Sequence, residues 1–275
     1  MQLLKKMQSA VQRGVSILHS GAIDDLSAAV SALQHSDGGF CGLDGKADLY
    51  YSYFAVFILE ALESEYDTDS LMQWVGSEYP TSRGVDRICA ELLLLRSGER
   101  SRSAARFSLV NSLLKNFPAD SYKIFLTSFL MEQLLPEGIN RFLIKRAAAS
   151  TLKHRASGDF SSLSTPVASV CLLLASQSGD AAAQERMQAL LKQRHRSSGG
   201  YSSAPGASAD LLSTAVVLFA FSISKSSISV DKNDRAFIEL CWQDDGLFSP
   251  APDQTDGDLE HTFYGLLALG STRTA

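Results

Sequence analysis

The sequence lacks most of what would mark it for a membrane, a nucleic acid or an oxidising compartment. Its 4 cysteines, Cys41, Cys89, Cys171 and Cys241, are far apart and form no CxxC pair. Free and mostly buried thiols in a reducing cytoplasm are therefore expected. No apolar run approaches the length of a membrane span, and Met1 to Gln8 show no continuous apolar stretch of the secretory kind. Basic charge is also scarce. The 25 Lys and Arg against 30 Asp and Glu leave a net charge of −5, which argues against a nucleic-acid surface. The one basic run, Lys192 to Arg196, closes a predicted helix, where cations meet the C-terminal dipole. A hydrophobic fraction of 45% and a charged fraction of 20% over 275 residues suit a globular chain with a sizeable core.

What is present is a repeat. Asp37-Gly-Gly-Phe leads to Asp48-Leu, Gly199-Gly-Tyr to Asp210-Leu, and Asp245-Gly-Leu-Phe to Asp258-Leu. In each case a Gly-rich loop ends at an Asp. A Ser or Thr follows three or four residues later, and then an apolar run. Each Asp is a plausible N-cap, because its carboxylate can accept from free backbone N–H groups of the first turn.

Periodicity fills in the rest. Nearly all-apolar helices are predicted over Leu49–Leu62, Arg87–Leu95, Ser121–Leu135, Val167–Ala175, Asp210–Phe221 and from Asp258 onward. Their caps fall at Asp48, Asp86, Asp120, Ser164 or Thr165, Asp210 and Asp258, with Pro166 at the first helical position of the fourth. Amphipathic helices are predicted between them. They cover 3–18, a second stretch through Leu26, Val30 and Leu33 after a break at Gly21, and Leu71–Val75 ended by Pro80. The others cover 101–116, 138–154, 181–195 and 231–242. The pattern implies an all-α fold, a single α/α toroid over residues 1–275. Six helical hairpins would place the apolar helices in an inner ring and the amphipathic ones in an outer ring. The inner N-termini would then gather around the mouth of a central cavity.

These repeats resemble the prenyltransferase and squalene-oxidase repeat family, which includes protein prenyltransferase β-subunits and triterpene cyclases. Gly38-Gly-Phe with Asp48-Leu-Tyr-Tyr-Ser-Tyr-Phe is similar to the family's glycine-pair, Asp and Tyr-Ser-aromatic pattern. Asp258-Leu-Glu-His-Thr-Phe-Tyr is similar to the Asp-x-x-His-Thr-x-Tyr segment that supplies a zinc-binding histidine in protein prenyltransferases. The resemblance implies isoprenoid chemistry and work beside a partner subunit. The Asp-x-Cys that completes such a zinc site is missing: Tyr50 follows Asp48 and Leu212 follows Asp210. No resident cofactor is therefore expected. Zinc or magnesium is the ion the family would suggest, and Cys241, Asp256 or Asp258, and His261 are the set that could hold it. Against the Asp-x-Asp-Asp motif of class II terpene cyclases, Glu260 takes the place of the proton-donating acid.

The candidate catalytic residues are Glu260, His261, Asp258 and Asp256, at the acidic end of the last loop. The candidate substrate-binding residues are Tyr50, Tyr51, Phe54, Phe263 and Tyr264, whose rings suit an isoprenoid wall, and Lys46, the one cation just before a capping Asp. The leading expectation is a prenyltransferase-like or terpenoid-handling protein that takes an isoprenoid chain into the toroid. One alternative is a non-catalytic toroid bound to a partner protein or to a second copy. Its cavity would be plugged by side chains such as Tyr50, Phe54 and Phe263. A stand-alone cyclase with an atypical acid motif is the other.

Overall fold

A helix that is apolar on nearly every side must bury every side, and a closed ring does this. The computed structural model describes residues 3–98, 101–106, 109, 121–136, 138–140, 142–143, 162–224 and 232–272. Its helices are α1 (Leu3–Val15), α2 (Ser20–Ala32), α3 (Leu49–Leu62), α4 (Thr68–Glu78), α5 (Gly84–Ser97) and α6 (Ser121–Leu134). They continue with α7 (Thr165–Ser178), α8 (Ala181–Lys192), α9 (Leu211–Ser224), α10 (Lys232–Leu240) and α11 (Leu259–Ser271). Two short antiparallel strands, β1 (Tyr201–Ser202) and β2 (Ala209–Asp210), pair Tyr201 with Asp210 just before α9. Among the described residues no helix is long and apolar enough to cross a membrane.

The apolar helices are α3, α5, α6, α7, α9 and α11. Each packs on the next, and α11 packs back on α3, so the inner ring closes. Outside it, α2 covers α3, α4 covers α5, α8 covers α7 and α10 touches α11. The expected helices 101–116 and 138–154 and the cap at Asp120 lie largely outside the described residues. The pieces that are described, 102–106 and 138–140, are helical.

The repeated loops bind each unit to the next. Gly38 and Gly199 have φ values of 104° and 98°, which L side chains rarely adopt. A Cβ there would stand 2.2 Å from the Ser70 carbonyl oxygen of α4 and 2.1 Å from that of Asn233 of α10. The loop at Gly246 rests in the same way on Asp25 of α2, which brings the last unit against the first. The aromatic residue of each loop then turns inward. The Phe40, Tyr201 and Phe248 N–H groups donate to Ser52 Oγ (2.8 Å), Thr214 Oγ1 (2.9 Å) and Thr262 Oγ1 (3.0 Å). This is why a hydroxyl recurs one turn after each Asp. It satisfies a backbone donor that the loop buries.

Helix α1 departs from the outer-ring expectation. It packs on α11, α3, α6 and α9 at once, so it lies across the end of the ring where the inner helices finish. Leu3, Leu4, Met7, Ala10, Val11, Gly14 and Val15 form its buried face. Its first N–H groups are capped by Glu132 in the last turn of α6, at 2.5 Å from Leu3 and 2.9 Å from Leu4. At its other end Arg13 Nε donates to the Gly270 carbonyl (3.0 Å). An amphipathic stripe reads the same whether it faces a ring wall or a ring floor. Here it makes the floor.

Three boundary expectations are corrected. Helix α5 begins at Gly84 with Arg83 as N-cap and no side-chain cap bond, so Asp86 lies inside the first turn rather than capping it. There its carboxylate still faces the positive end of the dipole. Gly21 lies within α2; the break comes earlier, and His19 Nδ1 caps the helix by accepting from the Ala22 N–H at 3.0 Å. Pro166 is second in α7 rather than first: of the two expected caps Ser164 is the cap residue, and Thr165 is already helical, its hydroxyl donating to the Ser202 carbonyl (2.6 Å). In the basic run, Lys192 occupies the last turn of α8 as expected. Arg194 instead is buried and donates to the Leu163 carbonyl (3.2 Å), tying the segment before α7 to the glycine loop.

Candidate functional site

The capping carboxylates collect at the end of the ring opposite α1. Asp48 Oδ1 accepts from the Tyr50 and Tyr51 N–H groups at 2.8 and 3.0 Å. Asp210 accepts from Ser213 N–H (2.7 Å), and Asp258 Oδ1 accepts from His261 N–H (2.7 Å). The second oxygen of Asp258 meets His261 Nδ1 at 2.8 Å, so one carboxylate both caps α11 and orients the imidazole. Glu260 stands on the inward side of the same first turn, where Tyr50 Oη, on the neighbouring helix α3, donates to its Oε1 at 2.6 Å.

Below this rim lies a cavity of about 320 Å³. Its walls come from Leu212, Val216 and Phe219 of α9, Val170 and Leu173 of α7, and Phe125 of α6. Tyr50 of α3 and Glu260, Phe263, Tyr264 and Leu267 of α11 complete the circuit, and Met7 of α1 forms the floor. The lining is almost entirely apolar. Among the described residues its carboxyl group is Glu260, and no described Lys, Arg or His side chain lines it.

The aromatic residues from α3 and α11 divide between wall and packing. Phe54 is buried behind the wall, 4.7 Å from Tyr50 edge-to-face and 4.8 Å from Phe263 by ring centroids. Such pairs hold one another in fixed orientations, so Tyr50 and Phe263 reach the cavity on a braced support. Tyr51 is half-buried near the rim and does not line the cavity. Lys46 is exposed on its loop and faces Asp44 at 3.8 Å. Asp256 is exposed on the loop before α11, and none of the hydrogen bonds or ion pairs of the described residues involves it. The structure thus brings Tyr50, Glu260, Phe263 and Tyr264 together at the cavity and places Asp258 and His261 just above. Met7, Val170, Leu173, Leu212 and Val216 were not expected at the site.

The rim is electrostatically strained toward protonation. Burial raises the Glu260 pKa, and Asp258 adds to this, while the Tyr50 hydrogen bond and His261 oppose it. Burial likewise raises Asp210 against its hydrogen bonds and His261. For His261, burial acts downward but is outweighed by the hydrogen bond and charge of Asp258, with Glu260 and Asp210 adding, so its pKa is raised. The Tyr51 phenol is pushed up to about 12 by burial, then by Asp258, Glu260, Asp48 and Asp44.

These shifts share one sign. A group whose folded pKa exceeds its unfolded value binds more protons when folded, so stability falls as pH rises through that interval. The His261 contribution is complete below its unfolded value of about 6.5 and is lost as the pH rises from there through its raised folded value. Thermal unfolding should therefore show a midpoint that declines from pH 6 to pH 8.5. His261→Gln should flatten that decline. A midpoint that rises across this range, or an unchanged slope in the variant, contradicts the arrangement.

The model of the prenyltransferase alpha-alpha toroid domain matches residues 11–88, 165–237 and 223–274. Together these segments cover more than half of the chain. The chain belongs to this family. No curated protein matches it. Within this toroid family the resemblance pointed to zinc held by Asp, Cys and His, and the residues present do not fit that ion. Leu212, an apolar wall residue, stands where the thiolate would be, and His261 Nδ1 is already engaged by Asp258. Cys241 is buried, with its Sγ 3.4 Å from the Phe237 carbonyl. Among the described residues no three His, Cys, Asp or Glu side chains converge as a metal set.

Proposed function

We propose that this toroid holds an isoprenoid-type chain in its central cavity, with the chain's polar end at Glu260 and Tyr50. The observation that supports the reading is an apolar chamber of about 320 Å³ with one carboxyl–phenol pair in its wall. Small-molecule sites are mostly apolar, with a few placed polar groups, and start at roughly 300 Å³. A partner-binding toroid was expected to have its cavity plugged by Tyr50, Phe54 and Phe263. Those rings stack on the α3–α11 side, while the α7–α9 side stays open.

The test is thermal unfolding with farnesol, geranylgeraniol and the two corresponding diphosphates. A ligand that binds only the folded state adds about 2.7 kcal/mol at a hundred times its dissociation constant. At 2–4 °C per kcal/mol for a chain of this size, the midpoint should rise by roughly 5–10 °C. No shift with any of the compounds overturns the reading.

A further inference from the structure

The polar end of the cavity distinguishes among ligands that share one chain, and this inference rests on the cavity reading above. We propose that Glu260 selects chains whose terminus donates a hydrogen bond, a hydroxyl or an ammonium, over chains that end in a phosphate.

Three observations carry it. The first is geometric. Glu260 Oε1 takes the Tyr50 hydroxyl at 2.6 Å, and among the described residues Oε2 has no hydrogen bond. One acceptor oxygen of a wall residue is therefore open to a donor arriving with the ligand, and a carboxylate has lone pairs for it on both oxygens. The second is the lining itself, which among the described residues holds no Lys, Arg or His to receive an anion. No described wall residue is the bidentate Arg or point-charge Lys that ordinarily recognises a phosphate. The third is the surrounding charge. The groups that act on Glu260 are Asp258 and His261, and those that act on Tyr51 are Asp258, Glu260, Asp48 and Asp44. His261 is the one cation among them, and Asp258 holds it at 2.8 Å, so its charge is already met. A phosphate seated at Glu260 would meet that carboxyl group with no cation among the described lining residues to balance it, in an apolar medium that screens little. An ammonium would meet the carboxylate and the rings of Tyr50, Phe263 and Tyr264, which favour a cation over their faces.

The experiment measures dissociation constants of farnesol, farnesylamine and farnesyl diphosphate by titration calorimetry, for the whole protein and for Glu260→Gln. The alcohol and the amine are expected to bind at least tenfold more tightly than the diphosphate. In Glu260→Gln, which keeps shape and removes charge, the amine's advantage should shrink at least tenfold. A tighter diphosphate overturns the inference and leaves the cavity reading standing, as does a preference unchanged in the variant. Failure of all three to bind removes both. Should Glu260→Gln not fold, Tyr50→Phe is the second probe. It leaves Oε1 without its donor, so the preference for a donating terminus should rise at least threefold; an unchanged preference counts against the inference.

Discussion

Gly270→Ala should destabilise the protein by about 3 kcal/mol, against the direction that helix propensity predicts. Gly270 lies in the last turn of α11, and an added Cβ there would stand 1.7 Å from the Ala10 carbonyl oxygen and 2.8 Å from Gly14 N of α1. Gly14 is its counterpart, with a Cβ position 2.0 Å from the Leu266 carbonyl oxygen. Backbone meets backbone at this crossing, so no side chain can rotate away to make room. In a free helix the same change would gain roughly 0.5–1 kcal/mol. Sterics therefore set the sign. The midpoint should fall by roughly 6–12 °C. Gly76, in α4 with nothing within 4 Å of its Cβ position, is the control. Gly76→Ala should be neutral or gain a few tenths to about 1 kcal/mol. A Gly270→Ala protein within about 0.5 kcal/mol of the original would mean that α1 does not lie on the ring floor.

Val216→Trp should leave the fold intact and abolish ligand binding. Val216 is on an inner helix and yet only half-buried, because its side chain faces the cavity rather than a neighbouring helix. A larger side chain at a packed position costs about 1–3 kcal/mol, because there is no room for it. Here there is room, and the indole would occupy it. Stability should stay within about 1 kcal/mol of the original, and the roughly 5–10 °C shift with an isoprenoid ligand should vanish. A variant that still shows the full shift would place the ligand elsewhere. One that loses several kcal/mol would mean that the space beside Val216 is filled.

The ring was legible in the sequence where residue type and spacing both carried information. Asp48, Asp210 and Asp258 were readable as caps because a carboxylate before an apolar run has one natural use. Ser52, Thr214 and Thr262 recurred for a reason the structure supplies, since each hydroxyl takes the N–H of its loop aromatic. Asp86 misled because an acidic residue serves an N-terminal turn from inside as well as from the cap. The floor was not legible, since the stripe of α1 would look the same in an outer helix, and the contact of Gly14 with α11 depends on residues more than two hundred positions apart.

The candidate site was legible in part. Glu260, Tyr50, Phe263 and Tyr264 were readable because charge and aromatic rings gather in the first turns of α3 and α11, and first turns are where the mouth must be. Lys46 and Asp256 share those motifs in sequence but sit on exposed loops, away from the chamber. Leu212, Val216, Val170 and Leu173 gave no signal. An apolar residue that faces an empty space has the same sequence signature as one that faces a neighbour. Only the closure of the ring, which leaves more room at its centre than side chains fill, separates the two.

The measurement that tests the central claim most directly is the dissociation constant of farnesol by titration calorimetry, for the protein and for Val216→Trp side by side. The account predicts saturable one-to-one binding to the first, weakened at least a hundredfold in the second. Equal binding to both, or no binding to either while both are folded, would contradict it.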